Sequence, residues 1–441
     1  MGFITDKQTL DDLNILGRYK KNSIFSLFHR TVTVEGSWLL EKMFNNPLTD
    51  VTSINTRSDI FSFFERINIS LPFNSDEFEV VENYIRTPES SIRMVATFNI
   101  TKSWLLNYIV GEKEYPELRT GLEKTIEVFA RLKELIKQVE KESRGTHYHE
   151  KAKRILALLD NKYFDAAWQC AGESPLPYKK VLQLDYLFRS LLNDPIEDLL
   201  TDIYELDVYI SVSAVSRELG FVYATSLEKE EEVIELKQVY HPWIPGAVGN
   251  DIHIDKDKNV LFLTGANMAG KSTLMKSFAI AVYLAHMGFP VAAKKMSFSI
   301  HEGIFTSINV PDNLAMGYSH FYAEVLRVKY VAEKVATNKQ LVIIFDELFK
   351  GTNVKDAYDG MVAIVDAFSK RNGSFIISTH IMEAGETLSN NPQLFFKYLP
   401  TVMKGTVPAY TYKLEDGITD DRHGMIIIKN EKILDILNEA N

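Results

Sequence analysis

Between Val260 and Ala285 the chain carries the pattern that most limits its fold. An apolar run, Val260-Leu-Phe-Leu-Thr264, leads into Gly265-Ala266-Asn267-Met268-Ala269-Gly270-Lys271-Ser272-Thr273, then into a helical stretch that reaches Ala285. This is G-x-x-x-x-G-K-S set between a strand and a helix. Gly265 and Gly270 permit backbone angles closed to other residues, so successive N–H groups can face one concavity and bind phosphate oxygens. The following helix adds the positive end of its dipole. The pattern predicts Lys271 on the β- and γ-phosphates of a nucleotide and Ser272 on Mg²⁺.

Two more apolar runs end in polar residues. Leu341-Val-Ile-Ile-Phe345 is followed by Asp346-Glu347, and Phe375-Ile-Ile-Ser378 by Thr379-His380. Ligands of open α/β sheets collect at the carboxyl ends of the strands. Asp346 is expected to hold Mg²⁺ directly or through water. Glu347, projecting differently, is expected to take a proton from the attacking water. His380 would touch the γ-phosphate or that water. From about Val233 onward, compact apolar runs alternate with helical segments, which predicts an α/β domain with a largely parallel sheet.

Residues 1 to about 226 have a different texture. Leu118, Leu122, Ile126, Phe129, Leu132, Ile136 and Val139 recur at steps of three and four, the signature of one helix face. Asp194-Pro195 opens a second long helix that runs to Glu218, with Gly220 as its stop. Shorter helices are expected around Trp38–Phe44, Ile60–Phe64 and Ile155–Leu159, with Trp38 and Trp243 as core aromatics. Glu228–Glu232 reads as an exposed acidic linker. The expected architecture is thus a helical domain over 1–226 and an α/β domain over 227–441.

The chain has 441 residues, 46% of them apolar, which suits ordered domains. A single cysteine, Cys170, excludes a disulfide framework and a multi-cysteine zinc site; its helical, apolar setting predicts a buried structural thiol. No apolar run reaches the ~20 residues that span a bilayer, and the start lacks a secretory pattern, so a cytoplasmic protein with no membrane contact is expected. With 49 Lys+Arg against 59 Asp+Glu, the net charge of −10 argues against a protein that grips nucleic acid over its whole surface.

Thr264-Gly-Ala-Asn-Met-Ala-Gly-Lys-Ser-Thr273 closely resembles the nucleotide loop of the MutS family of DNA mismatch-repair ATPases, usually TGPNMGGKST. The pair Asn267-Met268 separates that loop from generic phosphate loops. Val239-Tyr-His241-Pro242 is similar to the family's R-H-P segment. His286-Met-Gly288-Phe-Pro-Val-Ala292 resembles Q-x-G-x-x-V-P-A. The run Asp312 to Glu324, with Ser319 and Phe321, resembles D-x-L-x-x-G-x-S-T-F-x-x-E. Asp346-Glu347 through Gly351-Thr352 looks like D-E-x-x-x-G-T, and Ser378-Thr379-His380 like A-T-H. In the helical half, Ser26 to Leu48 resembles the start of the MutS core, and Glu205 to Ser211 the lever helix that feeds back to the ATPase.

The resemblance implies a helical core and lever domain followed by an ABC-type ATPase domain that uses ATP and Mg²⁺. It implies a homodimer, or a heterodimer with a related chain, in which Ser319 of one copy completes the other's ATP site. His241 is a candidate to stack on the adenine, a capping or packing role being the alternative. Asp356 or Asp359 would serve as the D-loop aspartate. Counterparts of the mismatch-recognition and connector domains are not expected, His320 stands for the usual Thr, and Phe349-Lys350 stand for Gly-Arg. Three readings follow: an ATPase dimer that binds DNA through its lever helices in repair or recombination; a MutS-derived switch acting on a protein partner; and an ABC transporter subunit. The third lacks an L-S-G-G-Q signature.

Overall fold

The computed structural model describes residues 2–17, 22–87, 93–266, 268–308, 320–349, 352–404, 407–419 and 436. They fall into two compact units: residues 28–42 with 59–215, and residues 1–27 with 43–58 and 216–441. In chain order a helical N-terminal region is followed by an α/β sheet domain, although the unit that holds the sheet also takes in residues 1–27 and 43–58. The helices in chain order begin with α1 (Lys7–Asp12), α2 (Ile24–Phe28), α3 (Val34–Asn45), α4 (Val51–Ile67), α5 (Ser75–Arg86) and α6 (Arg93–Val110). They continue with α7 (Glu114–Glu142), α8 (His149–Leu159), α9 (Asp165–Trp168), α10 (Tyr178–Tyr186) and α11 (Asn193–Leu219). After the strands begin come α12 (Lys271–His286), α13 (His320–Val335), α14 (Val354–Ser369) and α15 (Met382–Leu388).

In the helical unit, α7 buries Leu122, Ile126, Phe129, Leu132, Ile136 and Val139 of the face read from the sequence, joined by Tyr115, while Leu118 of that face is only half-buried. Entry into α5 is fixed by a reciprocal cap: Asn74 accepts from Glu77 N, and Glu77 reaches back to Asn74 N. An aromatic core gathers Phe64, Tyr148 and Tyr209; Phe64 stacks on Tyr209 at 5.8 Å and meets Tyr148 edge-on at 4.8 Å. Pro195 lies in the first turn of α11, and Gly220 follows its end with φ +66°. Trp38 was expected in the core and is 59% exposed instead. Its neighbours Ser37 and Leu40 take the buried positions, because a twelve-residue helix has only one apolar stripe. Cys170 lies just past α9 and is buried, as its setting predicts.

The strands are β1 (Val222–Tyr223), β2 (Thr225–Leu227), β3 (Ile234–Val239), β4 (Asn250–Ile254), β5 (Val260–Gly265), β6 (Pro290–Val291) and β7 (Lys295–Ser299). They continue as β8 (Gly303–Ser307), β9 (Leu341–Phe345), β10 (Gly373–Ser378), β11 (Leu394–Leu399), β12 (Thr401–Lys404), β13 (Val407–Tyr410) and β14 (Glu415–Asp416). The main sheet has the order β14-β11-β5-β10-β9-β8, parallel except for the β14 edge. Helices α12 to α15 follow β5, β8, β9 and β10, as crossovers between parallel strands require. β5 and β9 are buried along their whole length, which is why they read as unbroken apolar runs. Phe345, Phe368 and Phe375 stack in the core beneath them. A second sheet, β2-β7-β3-β4, lies within the same unit. Among the described residues no helix is long and apolar enough to cross a membrane.

Candidate functional site

The parallel register brings three strand ends together. β10 pairs with β5 (Ser378 with Leu263) and with β9 (Ile377 with Phe345). The loop after β5, the Asp346-Glu347 pair after β9 and the Ser378–His380 run after β10 thus emerge at one edge. The loop turns on Gly265 at φ +147° and Gly270 at φ +103°, angles a side chain rarely tolerates. Gly270 also sits where a Cβ would meet the Tyr412 ring at 3.1 Å. Met268 follows the turn at φ +70° and is 77% exposed, and Ala269 is buried. Asn267 lies outside the described residues.

Lys271 opens α12 and is only 5% exposed. Its Nζ donates to Gly265 O at 2.8 Å and Ala266 O at 3.2 Å. Burial pushes its pKa down, while the nearby carboxylates of Glu347 and Asp346 oppose the fall. Ser272 Oγ donates to Asp346 Oδ2, and Ser378 Oγ donates to Asp346 Oδ1. Asp346 N donates to Ser307 O at 2.9 Å, which fixes the carboxylate's root to the neighbouring strand. A hydroxyl and a carboxylate that converge beside a buried ammonium form a hard-oxygen donor set, the kind Mg²⁺ takes. These residues fit a phosphate–metal group.

Glu347 has φ +55°, and its N–H meets Ser378 Oγ at 3.1 Å. Its Oε1 contacts His380 Nε2. The turn therefore aims Glu347 away from Asp346 and onto the imidazole, so the two adjacent carboxylates occupy different surroundings. Thr273 lies in the first turn of α12 and lines a cleft of about 690 Å³, together with Ala266, Met268, Gly270, Lys271, Ser272 and Glu347.

The same cleft extends to His241, Ile244, Val248 and Tyr412. His241 is half-buried; burial, then Lys276, lowers its pKa, which keeps the ring neutral. Its Nδ1 accepts from Trp243 N at 3.3 Å, a local turn contact compatible with the packing role as well as with stacking. Trp243 is half-buried, with Nε1 donating to Ser23 O at 3.2 Å. Sequence reading passed over Tyr412 and Asn250. Asn250 Nδ2 donates to Tyr412 O at 3.0 Å and its Oδ1 accepts from Leu414 N at 2.7 Å, pinning the Tyr412 segment beside the loop. No sequence signal marks a contact across that separation. Ser378 stood in a quoted motif without a role, and in the structure its hydroxyl donates to the Asp346 carboxylate.

Ser319, Lys350 and Gly351 lie outside the described residues. Phe349, which replaces a small residue of the resembled pattern, is buried with φ +63° and packs edge-on against Phe321 at 5.9 Å. Asp356 is engaged at the start of α14, where its N–H donates to the Asn353 cap at 2.9 Å; Asp359 is exposed one turn on.

The fold and this strand-edge cluster define a class of protein in which a helical domain is followed by an α/β-sheet domain with its polar residues at the strand ends. Comparison with known proteins narrows the class. The family described as MutS domain III matches residues 8–213, and that described as MutS domain V matches residues 261–441. The chain belongs to the MutS family. The DNA mismatch repair protein MutS of Lactococcus lactis subsp. cremoris is 32% identical over 237 residues, covering 52% of this chain and 28% of that protein. The Petrotoga mobilis protein of the same name is 32% identical over 243 residues, covering 54% and 29%. That of Thermotoga maritima is 32% identical over 215 residues, covering 48% and 27%. The matched stretch is under a third of these relatives' own length.

Proposed function

We propose that this chain is a Mg²⁺-dependent ATPase of MutS type that works as a dimer on DNA in repair or recombination. The convergence of Lys271, Ser272, Asp346, Glu347 and His380 around one loop carries the reading. On it, the main-chain N–H groups of 265–273 and the Lys271 ammonium hold the triphosphate of the substrate. Ser272 and Asp346 hold Mg²⁺, which when bound offsets phosphate charge. Glu347 orients water and takes its proton, and His380 fixes the Glu347 carboxylate and responds to the γ-phosphate. His241 and Tyr412 flank the base. Ser319 of a second copy reaches the γ-phosphate, as the resembled segment does. Relatives named as mismatch repair proteins support the assignment to repair.

Glu347→Gln keeps the turn and the contact to His380 but removes the base. Hydrolysis should fall by about 10²- to 10⁴-fold with Mg–ATP affinity retained. Normal turnover in that variant would show the base to be misassigned, and absence of heat when the wild-type chain meets ATP and Mg²⁺ in a calorimeter would remove the ATPase reading.

The net charge of −10 favours a second reading, a switch whose partner is a protein. Titration against duplex, mismatched and branched DNA at stated salt separates the two. Binding that weakens with salt supports the DNA reading; no binding to any of them, with or without ATP, leaves the protein partner.

A further inference from the structure

The metal side of the proposed site is held from an unexpected direction. Strand β8 is the edge of the main sheet, and its last residue, Ser307, supplies the carbonyl that receives the Asp346 N–H at 2.9 Å. An edge strand has no partner on its outer side and frays at its end. Here the outer side is taken up by the N-terminal segment. Ile4 bridges Gly303, with Ile4 N donating to Glu302 O at 2.8 Å and Ile304 N to Ile4 O at 3.0 Å. Helix α1 is then capped by Asp6, which accepts from Thr9 N at 2.8 Å, and ends at Asp12, which is 5% exposed.

Asp12 Oδ2 accepts from Thr306 Oγ1 at 2.7 Å and from Ile308 N at 2.9 Å. Those donors bracket Ser307. Thr9 Oγ1 accepts from Thr306 N at 3.0 Å, and Arg327 on α13 donates to both Asp6 and Thr306 O. One buried carboxylate thereby clamps both sides of the residue whose carbonyl fixes Asp346. We propose that Asp12 is a positioning residue for Asp346: through Ser307 it holds the root of the carboxylate that meets Ser272. This deepens the ATPase reading and rests on it. Orientation of a metal-binding carboxylate through its outer partners commonly changes metal affinity by about 10- to 100-fold.

The test uses the full chain with Asp12→Ala, Asp12→Asn (which keeps an acceptor oxygen) and Thr306→Val. Amide hydrogen exchange on the nucleotide-free protein reads the link itself. In Asp12→Ala, exchange in the peptide containing Asp346 should accelerate, while that of β5 stays unchanged. In hydrolysis assays the Mg²⁺ concentration for half-saturation should rise by about 10- to 100-fold, with ATP affinity in chelator unchanged, and Asp12→Asn should lie between Ala and wild type. Should Asp12→Ala fail to fold, Thr306→Val carries both measurements with the same expectation. Unaltered exchange at Asp346, or altered exchange with an unaltered Mg²⁺ requirement, overturns the proposal and leaves a merely structural clamp. Failure of the wild-type chain to take up Mg–ATP would instead strike the ATPase reading, and the exchange data would still report whether Asp12 holds Asp346.

Discussion

Lys271 concentrates the conflict between folding and function in one side chain. It is 5% exposed, burial pushes its pKa down, and its ammonium donates to carbonyl oxygens rather than to a carboxylate. A buried cation held in this way costs the fold desolvation that its hydrogen bonds only partly offset. Lys271→Met keeps the apolar stem and removes the charge. Folding stability should stay within about 1 kcal/mol of wild type, or rise, since the desolvation cost goes with the charge. Mg–ATP affinity should fall by about 10- to 100-fold, because a charge-assisted hydrogen bond to phosphate is worth about 1.5–3 kcal/mol. Urea melts and calorimetry on the same preparation check both; a large loss of stability would mean that the ammonium is structural. This residue was legible because its neighbours in sequence fix its place: the G-x-x-x-x-G-K-S spacing determines the loop and the helix start together. Tyr412 was not, because its segment is held against the loop by the Asn250 amide, far away in the chain. Trp38 misled because an aromatic residue in a helix carries no mark of which face it takes; here it is exposed.

At the scale of elements, periodic and buried segments were the readable ones. α7 and α11 announce themselves through apolar steps of three and four, and β5, β9 and β10 through unbroken apolar runs, because each buries a full face or two. The N-terminal strand-like segment at Ile4 was not readable: a single bridge to Gly303 leaves no periodicity. Nor was the polar joint that sets the start of α3 against α11 in the helical unit. There Asp207, 1% exposed, accepts from Val32 N at 3.0 Å, Thr33 N at 2.7 Å and Thr33 Oγ1 at 2.7 Å. Burial raises its pKa, and the donors from Thr33 and Val32 oppose the rise. Asp207→Ala strands buried donors without an acceptor, at about 1–3 kcal/mol for each one left unpaired. A loss of about 3 kcal/mol or more in urea unfolding is expected, in contrast to a solvent-facing aspartate such as Asp359, where the change should stay within about 0.5 kcal/mol. Equal effects at both positions would mean that the joint bears no weight.

Across the whole molecule, the two units carry opposite responses to acid. In the α/β unit His286 and His301 are fully buried and their pKa values lie at about 3 and about 4. Burial is the main cause in both; His286 Nε2 also accepts from His301 N at 3.4 Å, and a protonated ring could not. In the unfolded chain both titrate near 6.5. Between pH 6.5 and about 4 the unfolded chain therefore binds protons that the folded unit refuses, so stability is fully present above 6.5 and drains as pH falls, by up to about 2.7 kcal/mol per pH unit for the pair. In the helical unit Glu82 is raised to about 7, first by burial and then by the Glu35 carboxylate, while Tyr204, whose hydroxyl donates to it at 2.5 Å, and Arg86 at 3.8 Å pull the other way. Its folded pKa exceeds the ordinary 4.5, so it adds stability below about 4.5 that is lost as pH rises through 7. Acidification from pH 7 to 5 should thus weaken the α/β unit while Glu82 firms the helical one. Hydrogen exchange resolved by segment, at pH-corrected intrinsic rates, should show β5 and β9 losing protection over this range while α5 and α11 hold or gain it. Glu82→Gln should remove the helical unit's dependence without touching β5, and His286→Gln should roughly halve the slope of the other unit. Parallel loss of protection in both units, unaltered by either substitution, would mean that these three buried groups do not set the acid response and that it follows the net charge of the chain instead.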